Sequence, residues 1–91
     1  MKRYKVSQQT VDVTSDTTLK QEEKYGGWFA VNQGTTIATV MGYELQPGEG
    51  LDMRDACPIG CIWDSAIQIR PGAGGKVRVT RLQAREIKER A

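Results

Sequence analysis

The sequence predicts an all-β fold, a small antiparallel β-sandwich or barrel with a short charged C-terminal arm. Three observations predict it. Between residues 26 and 83, short stretches rich in Val, Ile, Thr and aromatics alternate with turn-forming residues at close intervals, the sequence habit of sandwiches and barrels. Two of these stretches, CIWDSAIQIR and KVRVT, carry the two-residue apolar period of half-buried strands. The chain has 91 residues, 38% of them hydrophobic and 26% charged, which suits one globular domain and leaves no room for a second. The expected organisation is one β domain over residues 1–83, its first 24 residues supplying an N-terminal strand and a polar loop, and a charged arm over residues 84–91.

Taken in order, RYKVSQQTVDV alternates weakly through Val11 and Val13 and can supply an edge strand. SDTTLKQEEK, Ser15 to Lys24, is polar and reads as a long loop with at most a helical turn. WFAVN, Trp28 to Asn32, and TTIATVM, Thr35 to Met41, read as a strand pair joined at Gln33-Gly34. After the short stretch YEL, the segment QPGEG places Pro47 and Gly48 at the two central positions of a type II turn, the second of which needs positive φ. LDM follows as a short strand.

In CIWDSAIQIR, Trp63, Ser65, Ile67 and Ile69 fall on one face, with Asp64, Ala66, Gln68 and Arg70 on the other. In KVRVT, Val77 and Val79 face inward. An antiparallel hairpin pairs residues that share a face, so the expected register sets Ile69 opposite Val77 and Ile67 opposite Val79, with PGAGG as the loop. That loop is glycine-rich and precedes Lys76, yet it is not a phosphate loop. Position 70 is Arg where a glycine is required, Val77 replaces the hydroxyl residue after the lysine, and a strand follows instead of a helix. The tail QAREIKERA sets Glu86 four residues before Arg90, a helical spacing. Nine residues are too few for a lone helix. The tail therefore reads as a solvated end or as an arm that orders against a neighbour.

Composition narrows the chemistry. The chain contains no histidine, so the commonest general base and metal ligand is missing. Cys57 and Cys61 flank a Pro-Ile-Gly turn in CPIGC, and two thiols without further ligands do not make a structural zinc site; they read as small buried or half-buried side chains, with a local disulfide as the alternative. Asp52, Asp55 and Asp64 are the nearest approach to a carboxylate cluster and read as solvated or turn-capping groups. The chain is accordingly expected to be a non-enzyme without metal or cofactor. No apolar run reaches the roughly 18 residues of a membrane span, and the basic N-terminus lacks a signal-type hydrophobic stretch, so no membrane partner is expected.

The net charge of +2 is uneven. Residues 1–75 hold seven Lys/Arg against nine Asp/Glu, whereas residues 76–91 hold six against two. Arg81, Arg85, Lys88 and Arg90 are therefore the candidate interface residues, suited to salt-sensitive contacts with acidic neighbours. Arg81 shares a face with Val77 and Val79, and an inward charge at a strand end marks an edge or a contact. A basic β-barrel that binds single-stranded nucleic acid is the competing reading, but the six aromatics are scattered along the chain and not interleaved with the basic residues.

The run WFAVNQGTTIATVMGYELQPGEGLDM, followed by CIWDSAIQIR and KVRVTRL, resembles small β-rich virion proteins of tailed bacteriophages. The resemblance covers about two thirds of the chain and rests on the strand pair at Asn32-Gln33-Gly34, the turn at Leu45 to Glu49 and the strand at Ile62 to Ile69. It implies a structural protein of the virion, made in the host cytoplasm and present in repeated copies or as a homo-oligomer. Its partners would be other virion proteins. Decoration of the capsid is the leading role, and a head-to-tail collar or tail part is the alternative.

Overall fold

A computed structural model describes residues 3–20, 25–58 and 61–87. The described residues form two four-stranded antiparallel sheets, and the expected small β-sandwich is what they build. The strands are β1 (Tyr4–Val13), β2 (Thr17–Leu19), β3 (Tyr25–Asn32), β4 (Ala38–Val40), β5 (Tyr43–Leu45), β6 (Gly50–Asp52), β7 (Ile67–Arg70) and β8 (Val77–Glu86). One sheet has the order β1-β8-β3-β6 and the other β2-β7-β4-β5.

The core is made where the inward faces of the two sheets meet. Val13, Trp28, Ala30, Val77 and Val79 come from the first sheet, and Ala38, Val40, Leu45, Ile67 and Ile69 from the second. All ten are buried, most of them completely. The two-residue period sends Ile67 and Ile69 inward between exposed Gln68 and Arg70, as the sequence predicts. Gly48 has a φ of 86°, and the Glu49 amide donates to the Gln46 carbonyl at 2.9 Å, so QPGE closes the expected turn.

Several expected pairings are corrected. β7 and β8 are not a hairpin: β7 pairs with β2 and β4, β8 with β1 and β3. Ile67, Ile69, Val77 and Val79 face one another across the sandwich and not along one sheet. Alternation specifies which way a side chain points but not which sheet its strand joins. The PGAGG loop therefore crosses between sheets. It packs so tightly that a β-carbon on Gly75 would collide with the Pro71 carbonyl oxygen. The link at Asn32-Gln33-Gly34 is likewise a crossover, since β3 and β4 lie in different sheets. Among the described residues the one hairpin of consecutive strands is β4-β5, where Met41 and Gly42 both take positive φ, 53° and 82°, as a two-residue primed turn requires.

Two further expectations change. Within the polar stretch read as a loop, Thr17–Leu19 is a strand, because Thr17 and Leu19 find Ile69 and Ile67 as partners. The strand expected from Cys61 or Ile62 onward begins only at Ile67. Residues before it serve the other sheet: the Trp63 amide donates to the Tyr25 carbonyl at 2.9 Å, and the Trp63 ring meets Trp28 edge-on at 5.6 Å.

Asn32 is the polar centre of the sandwich corner and is fully buried. Its Nδ2 donates to the carbonyls of Thr36 (2.8 Å) and Leu45 (2.9 Å), while its Oδ1 accepts the Gly34 amide at 2.9 Å. Its own backbone amide donates to Glu49 and its carbonyl accepts from Gly48. One side chain thus ties the end of β3 to the β3–β4 link and to the end of β5.

Candidate functional site

β8 does not stop near Thr80. It runs ten residues to Glu86, in continuous antiparallel register with β1 from Val13↔Val77 to Tyr4↔Glu86. Among the described residues, β3 accompanies β8 from Asn32↔Val77 to Tyr25↔Gln83. Beyond that point the described residues show β1 and β8 paired as a two-stranded ribbon. The radius of gyration, 14.6 Å, exceeds the ~12 Å of a compact domain of this length, consistent with such a projection. Ala84–Glu86, expected to begin the charged arm, are therefore strand residues. Gln, Ala, Arg and Glu are weak β-formers, and only the partner strand recruits them.

The ribbon has two distinct faces. On the side that continues the core face, Lys5, Ser7 and Gln9 lie opposite Arg85, Gln83 and Arg81. On the reverse, Tyr4, Val6 and Gln8 lie opposite Glu86, Ala84 and Leu82. Lys5 and Arg85 are exposed, and among the described residues neither has an ion-pair partner. Two like charges directly opposite destabilise a strand pair. A ribbon tip that keeps such a pair is shaped for something other than its own stability.

The four sequence-derived interface residues separate. Arg81 is buried, 8% exposed, and lies in the middle of β8, not at a strand end. Its guanidinium stacks on Tyr25 at 4.3 Å and donates to the Lys20 carbonyl at 3.3 Å and to Gln9 Oε1, which also accepts the Tyr25 hydroxyl at 3.0 Å. Its charge is engaged inside the fold, where it fastens the base of the ribbon. Arg85 is exposed on the ribbon. Lys88 and Arg90 lie outside the described residues. Sequence reasoning missed Lys5, whose relevance appears only through its register with Arg85.

The carboxylates do not converge. Asp52 is bound by its neighbour Arg54 through the side chain at 2.5 Å and through the backbone amide at 3.0 Å, which holds its pKa down at about 2. The Arg54 guanidinium also lies 4.8 Å over the Phe29 ring. Asp55 and Asp64 are exposed. Asp12 sits between Arg78 (2.9 Å) and Lys76 (3.5 Å), and the Arg78 hydrogen bond lowers its pKa. Among the described residues, no three His, Cys, Asp or Glu side chains gather as a metal site, and no helix is long and apolar enough to cross a membrane.

Cys57 and Cys61 are free thiols, the first buried and the second exposed. Burial, and then the adjacent Cys61 thiol, push the Cys57 pKa up to about 11. Because only the thiolate alkylates, Cys61 is expected to react with iodoacetamide at pH 8 while Cys57 stays protected until the protein is unfolded. Peptide mapping after a timed pulse reads this directly. Equal labelling of the two residues in the folded protein would contradict the difference in burial.

Compared with known proteins, the chain matches no family model, no curated protein and no solved structure.

Proposed function

We propose that this chain is a non-enzymatic structural protein of a tailed-phage particle, attached in repeated copies to neighbouring virion subunits, with capsid decoration ahead of a collar or tail role. The observation that carries the reading is the β1/β8 ribbon, which projects beyond the sandwich and sets Lys5 beside Arg85 with no carboxylate partner among the described residues. A charged projection on a small stable body is suited to reach an acidic surface on an adjacent subunit. Copies that bind only the assembled shell would stabilise it by mass action. The resemblance of the strand and turn segments to phage virion proteins supplies the kind of assembly, and it is an analogy of pattern.

The test combines occupancy with a charge reversal. Quantitative mass spectrometry of gradient-purified particles is expected to find the wild-type chain in fixed ratio to the major shell protein. A Lys5→Glu/Arg85→Glu double variant should occupy particles at least ~10-fold less, with an unchanged thermal midpoint, because a desolvated charge contact is lost while the sandwich core is untouched. Absence of the wild-type chain from the particle would overturn the proposal.

The same exposed cations favour one second reading, a nucleic-acid-binding module. It predicts that the isolated protein binds an oligonucleotide with affinity that falls steeply with salt. A flat anisotropy titration at low salt would remove it.

A further inference from the structure

The sandwich has four outer strands, and three of them, β2, β5 and β6, are only three residues long. The fourth, β1, is ten residues long and exposed over most of its length. Native sheets blunt their edges with short strands, bulges, prolines or charges. β1 contains no proline or glycine, its ladder to β8 runs without a register shift, and its two charges, Lys5 and Asp12, stand near its ends. Residues 6–11, VSQQTV, are uncharged.

The hydrogen-bond phase of this edge can be read from one contact. The Ile87 amide donates to the Arg3 carbonyl at 2.8 Å, one step beyond the Tyr4↔Glu86 pair. Alternation along an antiparallel ladder then turns the amide and carbonyl groups of odd-numbered β1 residues toward β8. Thr10 and Thr80, whose hydroxyl oxygens approach to 3.2 Å, fit the closer, non-bonded class of pair. The backbone groups of Tyr4, Val6, Gln8, Thr10 and Asp12 therefore point away from the sheet.

We propose that β1 pairs antiparallel with β1 of a second copy of this chain, across a two-fold axis at Gln8, joining two four-stranded sheets into one of eight strands. A two-fold axis that makes neighbouring strands antiparallel must stand perpendicular to the sheet, so opposed residues share a face and even-numbered residues meet even-numbered ones. The five outward-facing residues are centred on Gln8. The register Tyr4↔Asp12, Val6↔Thr10, Gln8↔Gln8 thus satisfies all their outward amides and carbonyls. A shift by one residue at the axis, to Gln9, would leave Tyr4 beyond the end of its partner strand.

Charge agrees with this register. Lys5 lands opposite Val11, beside the Asp12 end of the partner strand, and the two copies of Lys5 stand ~20 Å apart along the ladder. No like charges oppose each other. Where the described residues show the ribbon as two strands, the pairing adds a third, and isolated two-stranded ribbons are marginal in water. Exposed Val6, 53% accessible in the single chain, gains Thr10 of the partner as a neighbour. The inference concerns the isolated chain and does not rest on the particle reading.

Sedimentation velocity of the full chain tests it. Wild-type protein should sediment as a dimer of the 10.1 kDa chain at micromolar concentration. Gln8→Lys and Gln8→Glu each place like charges face to face on the axis and should weaken dimerisation by ~100-fold or more. Circular dichroism and thermal midpoints should show each variant folded, since residue 8 is exposed. Mixed in equal amounts, the two variants should form a heterodimer. A monomeric wild-type chain overturns the proposal. So does a dimer that survives both substitutions, or a pair of monomeric variants that fail to recombine.

Discussion

Trp28→Ala is expected to cost about 3 to 5 kcal/mol, the range for deleting a fully buried large aromatic. Trp28 has no exposed surface, forms part of the inward face of β3, and is closed over by Trp63 at an interplanar angle of 84°. Removing it empties the centre of the core at the point where the loop before β7 leans on the opposite sheet. A 91-residue domain has only about 5 to 15 kcal/mol in total, so the variant should be largely unfolded at modest denaturant. Urea unfolding followed by circular dichroism measures the change. Trp28→Phe should cost less, because it keeps a ring against Trp63 and removes an indole N–H that has no hydrogen-bond partner among the described residues. A Trp28→Ala midpoint close to wild type would mean that Trp28 does not carry the core.

Asn32→Leu is the second large effect, expected at about 3 to 5 kcal/mol, because it strips hydrogen bonds from three backbone groups at once. The Leu45 and Thr36 carbonyls lose their donor and the Gly34 amide its acceptor. Asn32→Asp separates the two halves of this network. Its carboxylate keeps the Gly34 bond but turns negative oxygen toward two carbonyls in a buried place, which raises its pKa above the unfolded value. The neutral acid is the tolerated form, so this variant should be more stable relative to wild type at pH 4 than at pH 7, losing stability as pH rises through the folded pKa. A pH-independent difference from wild type would show that the carbonyl-facing donors contribute little.

Much of the fold was legible because it depends on local rules. The inward positions of Ile67, Ile69, Val77 and Val79 follow from the two-residue period, and the turn at Pro47-Gly48 follows from the φ values those two residues adopt. The strand at Thr17–Leu19 was hidden because three polar and apolar residues carry no period of their own. The extension of β8 through Gln83, Ala84, Arg85 and Glu86 was hidden for a related reason: its residues favour helix or coil, and the register with β1 overrides them.

The candidate site shows the same division. Its basic character was visible in the uneven distribution of Lys and Arg toward the end of the chain. Which of those cations face outward was not. Arg81 and Arg85 are four residues apart in one strand and lie on the same side of it. The first is covered by Tyr25 and Gln9, and the second stands open beside Lys5. Burial of a charged side chain is decided by what the rest of the chain brings over it.

By itself, the sequence determined the β class, the inward facing of Ile67, Ile69, Val77 and Val79, and the turn at Pro47-Gly48, since each rests on the geometry of a few consecutive residues. Tertiary structure alone decided that β7 and β8 belong to opposite sheets, that β1 and β8 form a ribbon, and that Arg81 fastens its base while Lys5 and Arg85 remain open. Alternation is indifferent to which strand lies alongside, and only the simultaneous closure of two sheets over one core selects the partner.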